Sequence, residues 1–249
     1  MSDIPHLAPG AVFSGHDLSG ADFAERDLTG ARFTDCTLVD VVLTAVILEG
    51  AAFANCKFTR CRFAHADLRE ATFDKCNFAD PDSHSGVEIA FSQLDSAVFK
   101  TCDLSFADID RTSLYAVAFE ACNLRGARFH RADFARSFGR NVVRSAAAFT
   151  ACNLELADLS DARLAGCDLK ASSFREADLT GADLDRADLT HCDFGQALTT
   201  GARMANADIR GSNVSGLRLT ELAAYDGLKV TLDQQQDLLA ALGLDVRAD

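Results

Sequence analysis

Apolar residues recur at every fifth position along almost the whole chain. With the apolar position of each unit called i, one register runs Phe13, Leu18, Phe23, Leu28, Phe33, Leu38, Leu43, Leu48, Phe53, Phe58, Phe63, Leu68, Phe73 and Phe78. A second, offset by one, runs Leu94, Phe99, Leu104, Ile109, Leu114, Phe119, Leu124, Phe129 and Phe134, resumes at Phe149 and continues to Phe194. It weakens through Met204, Ile209, Val214 and Leu219. Neither helical nor strand periodicity produces this spacing. A short fixed period predicts a solenoid, each unit burying its apolar face against its neighbours.

Position i−2 is almost always small, as in Ala11, Ala31, Ala51, Cys56, Ala71, Ala177 and Ala182. If four units close one square coil, residues 20 apart stack on one face. Phe13, Phe33, Phe53 and Phe73 then form one column and Cys36, Cys56 and Cys76 another, at about the 4.8 Å spacing of adjacent strands. All 9 cysteines occupy i−2. Their number is odd, no C-x-x-C pair occurs, and each replaces an Ala, Ser or Val, so they read as small buried core residues in a reducing compartment. Catalytic thiols are not expected, because apolar burial raises a thiol pKa.

The units ADLTG, ADLDR and ADLTH at 177–191, and CNLRG at 122–126, resemble the pentapeptide repeat family and its A(D/N)Lxx pattern. The likeness covers roughly residues 11–219. It implies an all-β solenoid, a right-handed quadrilateral β-helix of about ten coils and roughly 50 Å in length at strand spacing. The expected organisation is an N-terminal segment at 1–10, a coil at 11–222 and a C-terminal tail at 223–249.

Two stretches break the rule, and departures from a repeat are where function is sought. Residues 80–88, DPDSHSGVE, are rich in turn formers and shift the register by one; Asp82, His84 and Glu88 are candidate partner contacts. Residues 137–146, SFGRNVVRSA, place Gly139 and Arg144 at i. This segment reads either as degenerate coils or as an extruded loop, and Phe138, Arg140, Asn141, Val142 and Val143 are its candidate contacts.

In the tail, Thr231 and Gln234 match a capping box, and Leu238, Leu239 and Leu242 make a helical stripe ended by Gly243. The stripe predicts a cap over the last coil, a twofold homodimer interface through Leu238, Leu239, Leu242 and Leu244, or both. The glutamine run before LLxxLG resembles the dimerisation tails of the Qnr-type quinolone-resistance branch. That likeness implies binding to bacterial type II topoisomerases, DNA gyrase or topoisomerase IV, and protection from quinolones or natural gyrase poisons.

Charge narrows the function classes. The net charge is −13. Bases minus acids give −5 over residues 1–80, 0 over 81–150 and −8 over 151–249, so acidity concentrates in the last part. Such a surface repels nucleic acid and attracts the basic grooves that hold it. Asp158, Asp168, Asp178, Asp183, Asp188, Asp193 and Asp208 are the candidate acidic face of a DNA mimic. No direct nucleic-acid partner, cofactor or metal is expected: the six histidines have no ligand spacing, and no phosphate loop or nucleophile elbow occurs. An enzyme is therefore not expected. The N-terminus MSDIPHLAPG does not read as a signal peptide, and no apolar run approaches a membrane span, which predicts a cytoplasmic protein with no membrane association. The leading expectation is a non-enzymatic DNA-mimicking topoisomerase protector; the alternative is an interaction scaffold with no topoisomerase link.

Overall fold

A computed structural model describes residues 6–80, 82–139 and 142–244. The chain winds as a quadrilateral β-solenoid. Its units are short extended segments, such as Arg32–Thr34, Ala52–Ala54 and Thr72–Asp74, in which the central residue points inward and its neighbours outward. That alternation is what an extended backbone imposes. It explains why one apolar residue per unit suffices.

Consecutive coils pair in parallel and in register: Phe13 lies over Phe33, Phe33 over Phe53, Phe53 over Phe73, Phe73 over Phe99, Phe99 over Phe119 and Phe119 over Phe149. The rings stack with centroids 4.5 Å to 4.9 Å apart, starting with Phe13 and Phe33 at 4.7 Å. A second column holds Phe58 over Phe78 at 4.7 Å. Sheet spacing thus matches the thickness of a stacked aromatic, and the narrow interior fills without gaps.

The corners come in two kinds. At one, the amide at i−2 of the next unit closes a turn on the preceding apolar residue's carbonyl, as in Ala31 N to Leu28 O (2.9 Å) and Ala182 N to Leu179 O (3.0 Å). Alanine serves there. At corners such as those after Phe33, Phe73 and Phe99, the carbonyl is instead met by a thiol from the next coil: Cys56 Sγ donates to Phe33 O (3.5 Å), Cys102 Sγ to Phe73 O (3.4 Å) and Cys122 Sγ to Phe99 O (3.3 Å). Ser172 and Ser212 do the same from the same column, to Phe149 O and Leu189 O, both at 2.7 Å. The cysteines are all free and buried. At Phe33, Phe73 and Phe99 the thiol is a second donor to a carbonyl that the parallel ladder already pairs, so these cysteines add a weak contact to their role as small fillers. Burial pushes the Cys61 and Cys167 thiols up to about 11, so both stay protonated near neutrality.

Two insertions interrupt the winding. Rungs lie 20 residues apart except from Phe73 to Phe99 and from Phe119 to Phe149, where the steps are 26 and 30, and in the last coil, where Arg203 pairs with Ala224 and Asp208 with Lys229 at a step of 21, so the coil runs past the expected boundary at 222. The first extra stretch forms a small antiparallel hairpin, Ala79–Asp80 against Ser85–Gly86. The second forms another, Ala135–Ser137 against Val143–Ser145. Of the two readings left open for 137–146, the geometry corresponds to an extruded loop. After the last coil, helix α1 (Gln235–Ala241) lies over the end of the core.

Candidate functional site

The first hairpin is held on both sides. Asp80 is buried; its Oδ1 accepts the Asp82 amide (3.1 Å) and its Oδ2 receives Arg60 Nη1 (3.1 Å), while Arg60 also grips Asp40 through Nε (2.7 Å) and Nη2 (2.8 Å). Hydrogen bonds from Ser83 and then Arg60 hold the Asp80 carboxyl below its ordinary value. His84 takes a left-handed conformation (φ 51°) and sits edge-on to Phe106, with centroids 6.3 Å apart. Gly86 passes so close to the backbone of Ser105 and Ala107 that an added Cβ would lie within 2.5 Å of it. Glu88, grouped with this interruption from sequence, belongs instead to the coil: it stands in strand Glu88–Ala90, between Arg62 and Asp108, and pairs with Arg62 at 3.0 Å. The register resumes one unit before Leu94, at Ile89, because Val87 already occupies the inward i−2 position.

The second hairpin leans back over two earlier coils. Arg136 forms an ion pair with Asp95 and lies over the Tyr115 ring at 4.7 Å, and Phe138 meets Tyr115 at 5.7 Å. Asp95 is further fixed by Ser113 Oγ (2.5 Å) and the Tyr115 amide (3.0 Å). Phe138 donates its amide to Val142 O (2.6 Å), and Phe138, Val142 and Val143 are exposed at the tip. Arg140 and Asn141 lie outside the described residues. The seat formed by Asp95 and Tyr115 was not evident from sequence. Its only signal was an acidic and an aromatic residue at positions one coil apart that the repeat leaves outward.

The seven aspartates do not share a face. Asp168, Asp188 and Asp208 stack in one ladder and Asp158 and Asp178 in a second. Asp183 lies between Arg163 and Arg203 in a third, and Asp193 between Ser173 and Asn213 in the fourth. This corrects the expectation of a single acidic face. Positions five apart fall on successive faces, so Asp178, Asp183, Asp188 and Asp193 encircle the coil. Each also has a structural duty: Oδ1 accepts the amide two residues on, as from Thr180 to Asp178 (2.9 Å) and Thr190 to Asp188 (3.1 Å). Some of the charge is offset, with Lys170 on Asp168 (2.7 Å), Arg210 on Asp208 (2.7 Å) and Arg175 near Asp193 (3.4 Å). The belt formed by the coil at 171–190 holds Glu176, Asp178, Asp183, Asp185 and Asp188 with Arg175 and Arg186, a net −3 in its own residues, and Asp185 pairs with Arg203 of the next coil at 2.8 Å.

At the C-terminal end, Leu238 is buried in the core cluster and therefore caps this chain, which corrects its assignment to an intermolecular surface. Leu239 is half-buried, and Leu242 and Leu244 are exposed, at 41% and 54%. Gln234 closes the last coil: its Nε2 donates to Ile209 O and Ser212 O, both at 2.7 Å, and its Oε1 accepts the Thr231 amide (2.8 Å) and hydroxyl (2.9 Å). Among the described residues no cluster of three His, Cys, Asp or Glu side chains could hold a metal ion, and no helix is long and apolar enough to cross a membrane.

Fold and repeat together define a β-solenoid built of five-residue units, with two side hairpins and a helical end cap. The chain belongs to the pentapeptide repeat family: a family model described as Pentapeptide repeats matches residues 9–44, 47–80, 112–138, 152–190 and 187–221. It is 33% identical over 104 residues to the quinolone resistance pentapeptide repeat protein QnrB96 of Scandinavium goeteborgense, covering 42% of this chain and 49% of that protein. It is 31% identical over 94 residues to the pentapeptide repeat protein QnrB4 of Escherichia coli, covering 38% and 44%. The matches thus span about half the length of these curated relatives. Structures of QnrB1, a plasmid-mediated fluoroquinolone resistance protein, are similar along the whole rod. A trypsin-treated form superposes with TM-score 0.69 at 24% identity, covering 96% of this chain and 100% of that one, and the full-length form gives 0.61 at 24%, covering 96% and 99%. These superpositions establish the fold.

Proposed function

We propose that the protein binds a bacterial type II topoisomerase, DNA gyrase or topoisomerase IV, and protects it from quinolones or natural gyrase poisons. It acts without catalysis or cofactor, in the cytoplasm, as a homodimer joined near the exposed Leu242 and Leu244, with Leu239 at the edge. The observation that carries the reading is the belt at 171–190. A net −3 over one coil rise of about 4.8 Å is one charge per roughly 1.6 Å, close to the 1.7 Å of duplex DNA. Fixed carboxylates on a rigid rod present that density without the ordering cost of an acidic tail. Similarity to QnrB96 and QnrB4 supports the same direction. The hairpins, through Asp82, His84, Phe138, Val142 and Val143, would contact the drug-bound enzyme.

Charge can be removed without disturbing the coil. Asn153 accepts the Glu155 amide (3.1 Å) as the aspartates accept theirs, so Asp→Asn keeps the turn. Competition between the protein and labelled linear DNA for purified gyrase tests the reading. Asp178→Asn with Asp183→Asn and Asp188→Asn is expected to weaken competition about tenfold, at about 0.5 kcal/mol per lost charge near a surface. Undiminished competition by this triple variant would exclude charge mimicry by the belt, and absence of competition by the parent protein would favour the scaffold reading.

A further inference from the structure

One corner of this acidic rod carries the opposite sign. At the corner reached after Phe63, Ile89, Ile109 and Phe129, four consecutive coils place His65, Phe91, Arg111 and Arg131 at the outward position. All four backbones are left-handed (φ 54°, 52°, 47° and 52°), so the side chains leave the coil in the same direction. The Phe91 ring stacks on His65 at 5.2 Å and 15°, and the Arg111 guanidinium covers its other side at 5.2 Å. Asp161 is exposed on the coil that follows Arg131.

Neither Arg111 nor Arg131 lies in an ion pair among the described residues. Asp161 lines a recess with Arg131 without forming an ion pair with it. Asp133 is taken by Arg163 (3.2 Å), and Asp110 lines a recess on the adjacent face with Glu88, Asp108 and Arg128. On the other side, the outward residues Gln93 and Ser113 are neutral, and beyond them the second hairpin rises with Arg136 over Tyr115. A shallow polar track therefore runs along the rod between a cationic corner and the hairpin.

We infer that this corner is a docking strip for a short acidic polypeptide segment in extended conformation, with Arg111 and Arg131 receiving its carboxylates. Three steps of about 5 Å give a strip of roughly 15 Å, enough for four or five extended residues. Arg111 is pre-ordered by its cation–π seat, which lowers the cost of a bidentate carboxylate contact. A nucleic-acid strand suits the site less well. Both faces of Phe91 are occupied, so no base can stack there, and the acidic coils beyond residue 150 repel a polyanion that runs past the strip. The inference is independent of the topoisomerase reading.

The test is fluorescence anisotropy of a labelled oligoglutamate peptide titrated with the full chain, in low and in moderate salt. Binding that weakens with salt is expected, and Arg111→Glu with Arg131→Glu should weaken it at least about tenfold. Arg32→Glu, on another face, should leave it unchanged, and circular dichroism establishes that all three proteins hold the same fold. Absence of peptide binding, equal loss in the Arg32→Glu control, or tighter binding of a single-stranded oligonucleotide of equal charge would each overturn the inference.

Discussion

Replacing Cys122 separates the two reasons a cysteine can stand inside this coil. Its Sγ donates to Phe99 O at 3.3 Å, a carbonyl that also accepts the Glu120 amide in the parallel ladder. Cys122→Ala removes the donor and leaves a sulfur-sized void. Phe99 O keeps its ladder amide in Cys122→Ala, so the lost thiol contact costs about 0.5–1 kcal/mol and the void about 1 kcal/mol, about 1.5–2 kcal/mol in all. Cys122→Ser keeps the donor, and Ser172 already performs this role in the column at 2.7 Å. Serine should therefore fall within about 1 kcal/mol of the parent. Cys167 supplies the control. It is equally buried, but its sulfur makes no hydrogen bond among the described residues, and its amide closes the turn on Leu164 O at 3.1 Å. Cys167→Ala should cost only the void, about 1 kcal/mol. Urea unfolding followed by circular dichroism measures all three. Equal costs for Cys122→Ala and Cys167→Ala, or a Cys122→Ser loss as large as that of alanine, would refute the role given to the thiols.

Three further outcomes are expected. Gly86→Val places a Cβ within 2.5 Å of the Ser105 and Ala107 backbone, so the first hairpin must lift, at about 1–3 kcal/mol, with faster amide exchange at 82–86 while the coil amides stay protected. Arg136→Ala removes both the Asp95 ion pair and the cover over Tyr115; the second hairpin should become cleavable by trypsin at Arg144 in the native state, with global stability changed by about 1 kcal/mol or less. Because the Asp80 carboxyl is held below its ordinary 3.8, its contribution is complete above that value and is lost as pH falls through its folded pKa. Hairpin amide exchange should accelerate below about pH 4, and Asp80→Asn should remove that acid-dependent step.

The solenoid was legible because a single physical demand repeats: one inward apolar residue per unit, with a small residue two positions before it. That demand says nothing about which face an outward residue joins. Face membership depends on position modulo 20 and on each insertion, so aspartates five residues apart looked like a stripe and form a girdle. The same limit hid the cationic corner, whose four residues are separated by 26, 20 and 20 positions across the first hairpin. Leu238 illustrates a different limit. Its helical spacing predicts an apolar stripe, but only the position of α1 over the last coil decides that Leu238 faces this chain while Leu242 and Leu244 face outward.

The most direct test of the account is a gyrase DNA-cleavage assay in the presence of a quinolone, with the protein titrated at fixed salt and supercoiling followed in parallel. The account predicts that drug-stabilised cleavage falls at protein concentrations that leave supercoiling intact, and that Asp178→Asn with Asp183→Asn and Asp188→Asn shifts the response to higher concentration. Cleavage and supercoiling both unchanged across the titration would contradict it.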